Sequence, residues 1–419
     1  MAGVCIVGAY NTKFGAFARK NKETGELEDS APLEALMSEA VRGAVADAGL
    51  PAEELGGVWI GSFAPGLMTG QDHLGPLAME AFPEALRMKP AQRVEGACAS
   101  SSLALLNALY AIESGRFKAA LVLGVEKMTL LNTAGVTQAL AGASRWASEG
   151  AKGMTFPGLF AEYAKGYAAR HGLSEAELRR MLATAAALMY RNGVENPLAH
   201  FGKGGPSDRL GLFSADAILG LPDEKNPIVA DPLRLHDCSL VSDGAAALIL
   251  MEEGAAKALG RPAVKIAGIG HTTERMGIAD RSQMSELAAA KVAVAQAYAE
   301  AGISAADLGA VEVHDCFTIN QLLCVEALGL CKDGEAGRAF MDGRFTADDR
   351  CPVNLSGGLK AKGHPVGATG ASMHALLYKQ MTGAPIGLAR AAGVPELTAT
   401  LNVGGSGATN SVTVLRRVR

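Results

Sequence analysis

A strand–helix alternation that runs, breaks off and then starts again is the feature that most restricts how this chain folds. Strand-like stretches are expected at Val4–Ala9, Val58–Phe63, Arg93–Ala97 and Ala119–Val125, with amphipathic helices at Pro32–Ala48 and Ser100–Ser114. From about residue 127 to 230 the alternation stops. Helix signals at Tyr163–His171 and Glu175–Arg191 then precede a Gly/Pro-rich stretch, Asn192–Ser207, before strand character returns at Gly244–Met251. The first pattern begins again near residue 263. It gives a strand at Ala263–Thr272, a helix at Gln283–Ala301 and a strand at Leu308–Val313. A helix at Gln321–Leu330, a strand at Pro352–Leu355 and a helix at Gly370–Thr382 follow, and two strands close the chain, Glu396–Asn402 and Asn410–Leu415. Such alternation implies an α/β fold with helices on the faces of a sheet. The expected organisation is one half formed by 1–126 plus 231–262, an insertion at 127–230, and a second half at 263–419. The glycine-rich stretches around Cys98 and His364 occupy matching places in the two halves, where an open α/β sheet binds ligands.

A chain of 419 residues suggests two to three domain-sized units. Its 49% hydrophobic and 20% charged residues fit a globular enzyme. The net charge of −4 and pI near 6.1 argue against nucleic acid or an anionic membrane as partner. No apolar run has the length of a membrane span, and neither end reads as a leader or lipidation signal, so a cytoplasmic location is expected. Seven scattered cysteines without CxxC spacing indicate free thiols rather than a disulfide framework or zinc knuckle.

Four segments carry chemistry. In Glu95-Gly96-Ala97-Cys98-Ala99-Ser100-Ser101-Ser102, a cysteine stands where a strand turns into a helix. The positive end of the helix would favour a thiolate, although a buried cysteine at a tight junction reads equally well. In Gly358–Gly370, His364 is held between Gly363 and Pro365 ahead of a helix. It suits a base that deprotonates Cys98 and a donor to a thioester oxygen; a phosphate-binding glycine loop is the other reading. In Val313-His314-Asp315-Cys316-Phe317, strand alternation sends His314 and Cys316 one way and Asp315 the other. A second such triplet, His236-Asp237-Cys238, warns of coincidence and is read as structural; no third cluster completes a metal site. Finally, Leu401-Asn402-Val403-Gly404-Gly405-Ser406-Gly407 offers a nest of backbone N–H groups for an oxyanion, or simply a turn between strands.

Together these segments resemble the thiolase superfamily along essentially the whole chain. The cysteine segment and Val125-Glu126-Lys127-Met128-Thr129 resemble its nucleophile region, and Gly363-His364-Pro365-Val366-Gly367 its histidine loop. Asn192, Asn196-Pro197 and His200-Phe201 are similar to the loop domain of the SCP-2/archaeal branch. The His314-Asp315-Cys316-Phe317 box resembles that branch too, with Asn402 where other thiolases carry their second cysteine.

The resemblance implies a layered αβαβα core of two duplicated halves with an inserted loop domain. It implies that Cys98 carries the acyl group, His364 activates it, and His364 with a water near His314 cradles the thioester or enolate oxygen. Cys316 would move the proton on carbon, and the N–H groups of Cys98 and Gly404 would hold the oxyanion. Coenzyme A contacts are assigned to Arg191, Lys203, Gly363, Gly405 and Ser406, with acyl-pocket walls from Met154–Phe160 and Leu198–Phe201. No metal or bound cofactor is implied beyond acyl-CoA and CoA as substrates. The family suggests a homodimer or dimer of dimers, and some relatives work with a small zinc-ribbon/OB-fold (DUF35-like) subunit. A decarboxylating ketosynthase would use Cys98, His314 and His364 but leave Cys316 idle. A retro-aldol lyase subunit working with such a partner would need no acyl-cysteine.

Overall fold

The computed structural model describes residues 3–418. Its first half contributes strands β1 (Val4–Asn11), β2 (Val58–Gly61), β3 (Ala91–Val94), β4 (Ala119–Glu126) and β5 (Gly244–Glu252). The second contributes β6 (Val264–Thr273), β7 (Ala310–Val313), β8 (Leu397–Gly404) and β9 (Thr409–Arg417). They form one nine-stranded sheet in the order β7-β8-β9-β6-β1-β5-β4-β2-β3. In the first half β2 pairs in parallel with β3 and β4, and β4-β5-β1 are antiparallel. The second half repeats this: β7 is parallel to β8, and β8-β9-β6 are antiparallel. The halves join through the antiparallel pair β1–β6.

The repeat extends to single residues. Pairing of β1 with β5 slips between Ile6 and Gly8, and pairing of β6 with β9 slips between Ile266 and Gly268. At each slip a helix rests on the strand. A Cβ at Gly8 would come within 2.6 Å of the Ala48 nitrogen, and one at Gly268 within 2.2 Å of the Ala297 oxygen. These belong to or end helices α1 (Leu33–Ala48) and Ala288–Ala301, so glycine is what permits the close approach in both halves. The spacing of Leu33, Leu36, Met37, Ala40, Val41 and Ala44 gives α1 one continuous buried face, and Gly49 ends it in the left-handed region at φ 61°.

Five layers result. Helix α1 covers one face of the first half. Helices α2 (Ser100–Glu113) and Thr369–Met381 fill the space between the two halves. Between them in the chain lie α3 (Thr133–Ala141), α4 (Phe156–His171) and α5 (Glu175–Val194) of the insertion, α6 (Ala288–Ala301) and α7 (Thr318–Ala327); Thr369–Met381 is α8. Helices α4 and α5 share one apolar cluster with α6, α7 and the strands of the second half, through Phe160, Tyr167, Met181, Leu322 and Val325. Helices α4 and α5 are therefore part of that half's core, whereas α3 packs through Val136 and Ala139 against Met68, Met128 and Val366.

One expected strand is missing. Pro352–Leu355 makes only a bridge, Val353 to Val311, flanked by hydrogen bonds from Val311 N to Pro352 O (3.0 Å) and from Asn354 N to Val311 O (2.9 Å). Pro352 has no N–H to extend the ladder, and Asn354 turns away at φ 51°. Helix α6 also starts five residues later than the periodicity suggests, and α7 three residues earlier.

Candidate active site

Strand β3 ends at Val94, and the chain must reverse sharply to enter α2. Glu95 accepts from Ala97 N at 2.6 Å, and Ser100 Oγ accepts from Gly96 N at 3.0 Å and donates to Ala97 O at 2.6 Å. These bonds hold Ala97 at φ 52°, a left-handed conformation rare for alanine. Cys98 follows, half-buried on the wall of a cavity and two residues ahead of the first residue of α2. The helix end does not by itself make a thiolate. Burial pushes the thiol up to about 12, outweighing the backbone N–H of Gly405, which points at the sulfur and pulls the other way. That N–H belongs to Gly405 rather than Gly404. Gly404 closes β8 opposite Thr409, where a Cβ would fall 2.2 Å from Gly96 O, so its part is close packing.

Two histidines meet the sulfur. Ring nitrogens of His314 and His364 and the Cys98 sulfur all lie within 4.8 Å of one another, and the rings stand edge to face at 5.1 Å. His364 Nδ1 is 2.7 Å from Thr369 Oγ1, which itself donates to Pro365 O at 3.1 Å. Thr369 has only one proton to give, so it accepts from Nδ1–H and leaves His364 Nε2 with a free lone pair. Burial, reinforced by Lys362, lowers His364 to about 3, so the ring is neutral at rest. His314 is fully buried, and burial holds it well below the usual histidine range. Its Nδ1 is 3.0 Å from the amide nitrogen of Asn402, which also donates to Cys98 O at 3.1 Å. Two imidazoles and a thiol also make a zinc-type donor set. A second thiol, Cys316, lines the same cavity but is not among the ligand atoms that converge within 4.8 Å, so the fourth ligand of a closed tetrahedral site is not in place.

That cavity offers about 170 Å³ to the centre of a water-sized sphere and is chiefly apolar. Cys98, Cys316 and His364 share it with Phe63, Met128, Phe317 and Val366. From the insertion come Phe156 and Pro157, as expected, and Val136 and Leu140 of α3, which the sequence did not reveal. Leu198–Phe201 does not line it. Instead His200 N and Phe201 N donate to Lys362 O and Ala361 O, bracing the His364 loop from behind. Asn192 and Asn196 likewise donate to Asn354 O and Ser356 O.

The paired triplets part company. Asp315 caps the short turn Gly358–Ala361 through Leu359 N (2.7 Å) and Lys360 N (3.3 Å), and burial raises it to about 7. His236 is bonded to Tyr190 OH at 2.7 Å and Asp237 to Arg179, as a structural reading expects. Cys238 departs from that reading: it lines the cavity, paired through a bridge with Phe317. Glu126 gathers two loops at the same end of the sheet, accepting from Phe63 N (2.7 Å) and Ala64 N (3.3 Å) of one and Gly367 N (3.0 Å) of the other.

The remaining expected residues sort by position. Gly363, at φ 117° with a would-be Cβ 2.8 Å from Ser242 Oγ, shapes the loop that aims His364. Ser406 is buried, its carbonyl accepting from Arg281 and from Tyr163 OH (3.1 Å), which anchors the Gly405 turn. Arg191 and Lys203 are exposed and lie outside the cavity lining. Ser102, Thr369 and Asn402 are the polar supports that sequence reasoning did not assign.

Comparison with known proteins agrees with this geometry. The family model for the thiolase N-terminal domain matches residues 4–254, and that for the thiolase C-terminal domain-like family matches 270–417. The chain is 36% identical over 417 residues to an acetyl-CoA acetyltransferase of Methanothermobacter thermautotrophicus, covering 100% of both chains. It is 30% identical over 383 residues to the benzoylsuccinyl-CoA thiolase subunit BbsB of Thauera aromatica, covering 90% of this chain and 89% of that one. Among solved structures, the Ltp2-ChsH2(DUF35) aldolase superposes with a TM-score of 0.77 at 21% identity, over 99% of this chain and 98% of the other, a likeness of fold. With both halves matched and a relative aligned from end to end, the chain belongs to the thiolase family.

Proposed function

We propose that this enzyme is an acyltransferase that splits, and in reverse forms, a carbon–carbon bond between acyl groups carried on coenzyme A. The observation that carries the reading is the meeting of Cys98, His364 and the second thiol of Cys316 on one apolar cavity, with the buried His314 behind them within 4.8 Å of Cys98 and His364. In the cleavage direction Cys98 sulfur attacks the 3-oxo carbon of the substrate as its proton passes to His364 Nε2. The Gly405 N–H and His314 face the oxygen that becomes anionic. Collapse of that adduct breaks the carbon–carbon bond, and the enolate of the leaving acyl-CoA takes its proton from Cys316. Burial holds the Cys316 thiol well above its ordinary range, so it is protonated and ready to give. The proton held by His364 passes on to the Cys316 thiolate, which restores both groups. Free CoA, deprotonated by His364, then removes the acyl group, and the released Cys98 thiolate takes that proton back from His364. Each oxyanion donor is worth on the order of 10²–10³ in rate.

A ketosynthase that generates its carbanion by decarboxylation leaves Cys316 without a task, and a lyase leaves Cys98 without one. Intact-protein mass spectrometry after incubation with acetyl-, butyryl- and benzoyl-CoA tests the proposal. An acyl adduct on the wild type and none on Cys98→Ser is the expected outcome. No adduct from any acyl-CoA would sink the covalent route. The chain assembles as a homodimer or a dimer of dimers, a reading supported by the open edge of β3, with Met88 86% and Leu67 68% exposed near that end of the sheet. Light scattering on the purified chain tests it. Seven free cysteines favour a reducing, cytoplasmic setting. No helix among the described residues is long and apolar enough to cross a membrane.

A further inference from the structure

We infer that Asn402 is a positioning residue that fixes the tautomer of His314, so that this ring serves as a hydrogen-bond donor while His364 serves as an acceptor. The argument is one of donor and acceptor counting. A backbone carbonyl only accepts, so the Asn402 atom 3.1 Å from Cys98 O is its NH₂ nitrogen. The amide is oriented consistently at its other end, where Oδ1 accepts from Ser102 Oγ at 2.7 Å. The same NH₂ lies 3.0 Å from His314 Nδ1 and has nothing to accept with. Nδ1 must therefore carry the lone pair, and the proton of the neutral ring sits on Nε2. That Nε2 is buried and has no protein partner, a costly omission unless something else comes to it. His364 is set the opposite way by Thr369, with its proton on Nδ1. Two chemically identical rings 5.1 Å apart are thus given different tasks by a single amide and a single hydroxyl.

Asn402 also ties the two halves of the site together. It stands on β8, reaches Ser102 in α2, and holds the carbonyl of Cys98 itself. Asn402 stands at the position that the thiolase resemblance gives to a second cysteine. The amide therefore occupies that place with a different task, the proton-moving thiol having its seat at Cys316.

The catalytic consequence rests on the thioester chemistry proposed above, but the tautomer does not, which keeps their failures apart. The test is long-range ¹⁵N–¹H correlation NMR on the full chain with ¹⁵N-labelled histidine, with the His314 signals identified by their loss in His314→Gln. The wild type should show a protonated Nε2 and a bare Nδ1 at His314 between pH 6 and 8, and the reverse at His364. A protonated Nδ1 at His314, or an imidazolium, overturns the inference without any variant being needed. In Asn402→Asp, which keeps the shape but replaces the NH₂ by an acceptor, the His314 proton should move to Nδ1. The kcat for acyl transfer should then fall about 10²-fold with KM changed less than about threefold, as loss of one oxyanion donor predicts. A kcat within threefold of wild type in a folded Asn402→Asp whose tautomer has switched would overturn the catalytic part alone. Absence of turnover in the wild type would instead count against the acyl-CoA reading and leave the tautomer assignment standing.

Discussion

The two halves of this molecule have the same strand order, the same bulge glycine and the same central helix, yet they deliver opposite chemistry. In the first half five residues (95–99) connect the end of β3 to α2. In the second, fifteen (354–368) connect the Val353 bridge to α8. The short connection leaves a sulfur at a helix end with little freedom to be anywhere else. The long one makes a helical turn, capped by Asp315, before it presents His364. The two helices then meet directly, Ala371 N donating to Ser101 Oγ at 2.9 Å. A Cβ at Gly370 would lie 2.3 Å from Ser102 Oγ, so only glycine allows this approach. Duplication supplied two facing helix N-termini, and loop length decided which would carry the thiol and which the imidazole.

The strongest way to break that assignment is to separate the thiols. Cys98→Ala should abolish acyl transfer, a loss on the order of 10³ or more, because the covalent step has no other acceptor. Cys316→Ala should still take up an acyl group on Cys98 while the carbon–carbon step falls about 10²–10⁴-fold, the usual worth of a positioned acid or base. Single-turnover mass spectrometry against steady-state thiolysis distinguishes the two, and an adduct on Cys316 in Cys98→Ala would reverse the roles.

A smaller effect sharpens the contribution of the second half. Thr369→Val removes the acceptor for His364 Nδ1–H inside a buried site, a penalty of about 1–3 kcal/mol. The acylation rate of Cys98 should drop about five- to a hundredfold, with a melting temperature lowered by about a few degrees. An unchanged acylation rate would show that the ring is held by packing alone.

The mildest test leaves the protein unaltered. Burial raises the Cys98 thiol to about 12 and lowers His364 to about 3, so from pH 5 to 9 both are neutral. The thiolate fraction, and with it iodoacetamide alkylation of Cys98, should then climb about tenfold per pH unit without a plateau. A plateau below pH 7 would mean that the two halves meet as a thiolate–imidazolium pair instead.

Much of this could be read from residues alone. Local patterning revealed the two halves, because bulges, caps and amphipathic faces are short-range features: Gly49 after α1 and the glycine-bounded His364 are examples. His364 stood out between Gly363 and Pro365, whereas Cys98, His314 and Cys316 had structural readings beside the chemical one and became candidates through the resemblance of all four segments together. The failures share a cause. Pro352–Leu355 looks like a strand locally but stops at a left-handed Asn354, whose side chain is recruited by Val313 N (2.7 Å) and Val313 O (3.1 Å) from the neighbouring strand. Cys238 read as structural because nothing nearby in sequence shows that its bridge partner is Phe317.

By itself, then, the sequence determined the repeated α/β architecture, the family and the candidate reactive groups, all of which depend on periodicity and on residue type at marked positions. Only the tertiary structure decided their states. The thiol at a helix end is neutral because burial outweighs the helix's favour for charge. Gly405 rather than Gly404 supplies the N–H, and two like histidines differ because Asn402 and Thr369 reach them from remote parts of the chain. Protonation, tautomer and donor direction depend on partners that meet only when the halves fold together. Spacing along a chain does not encode them.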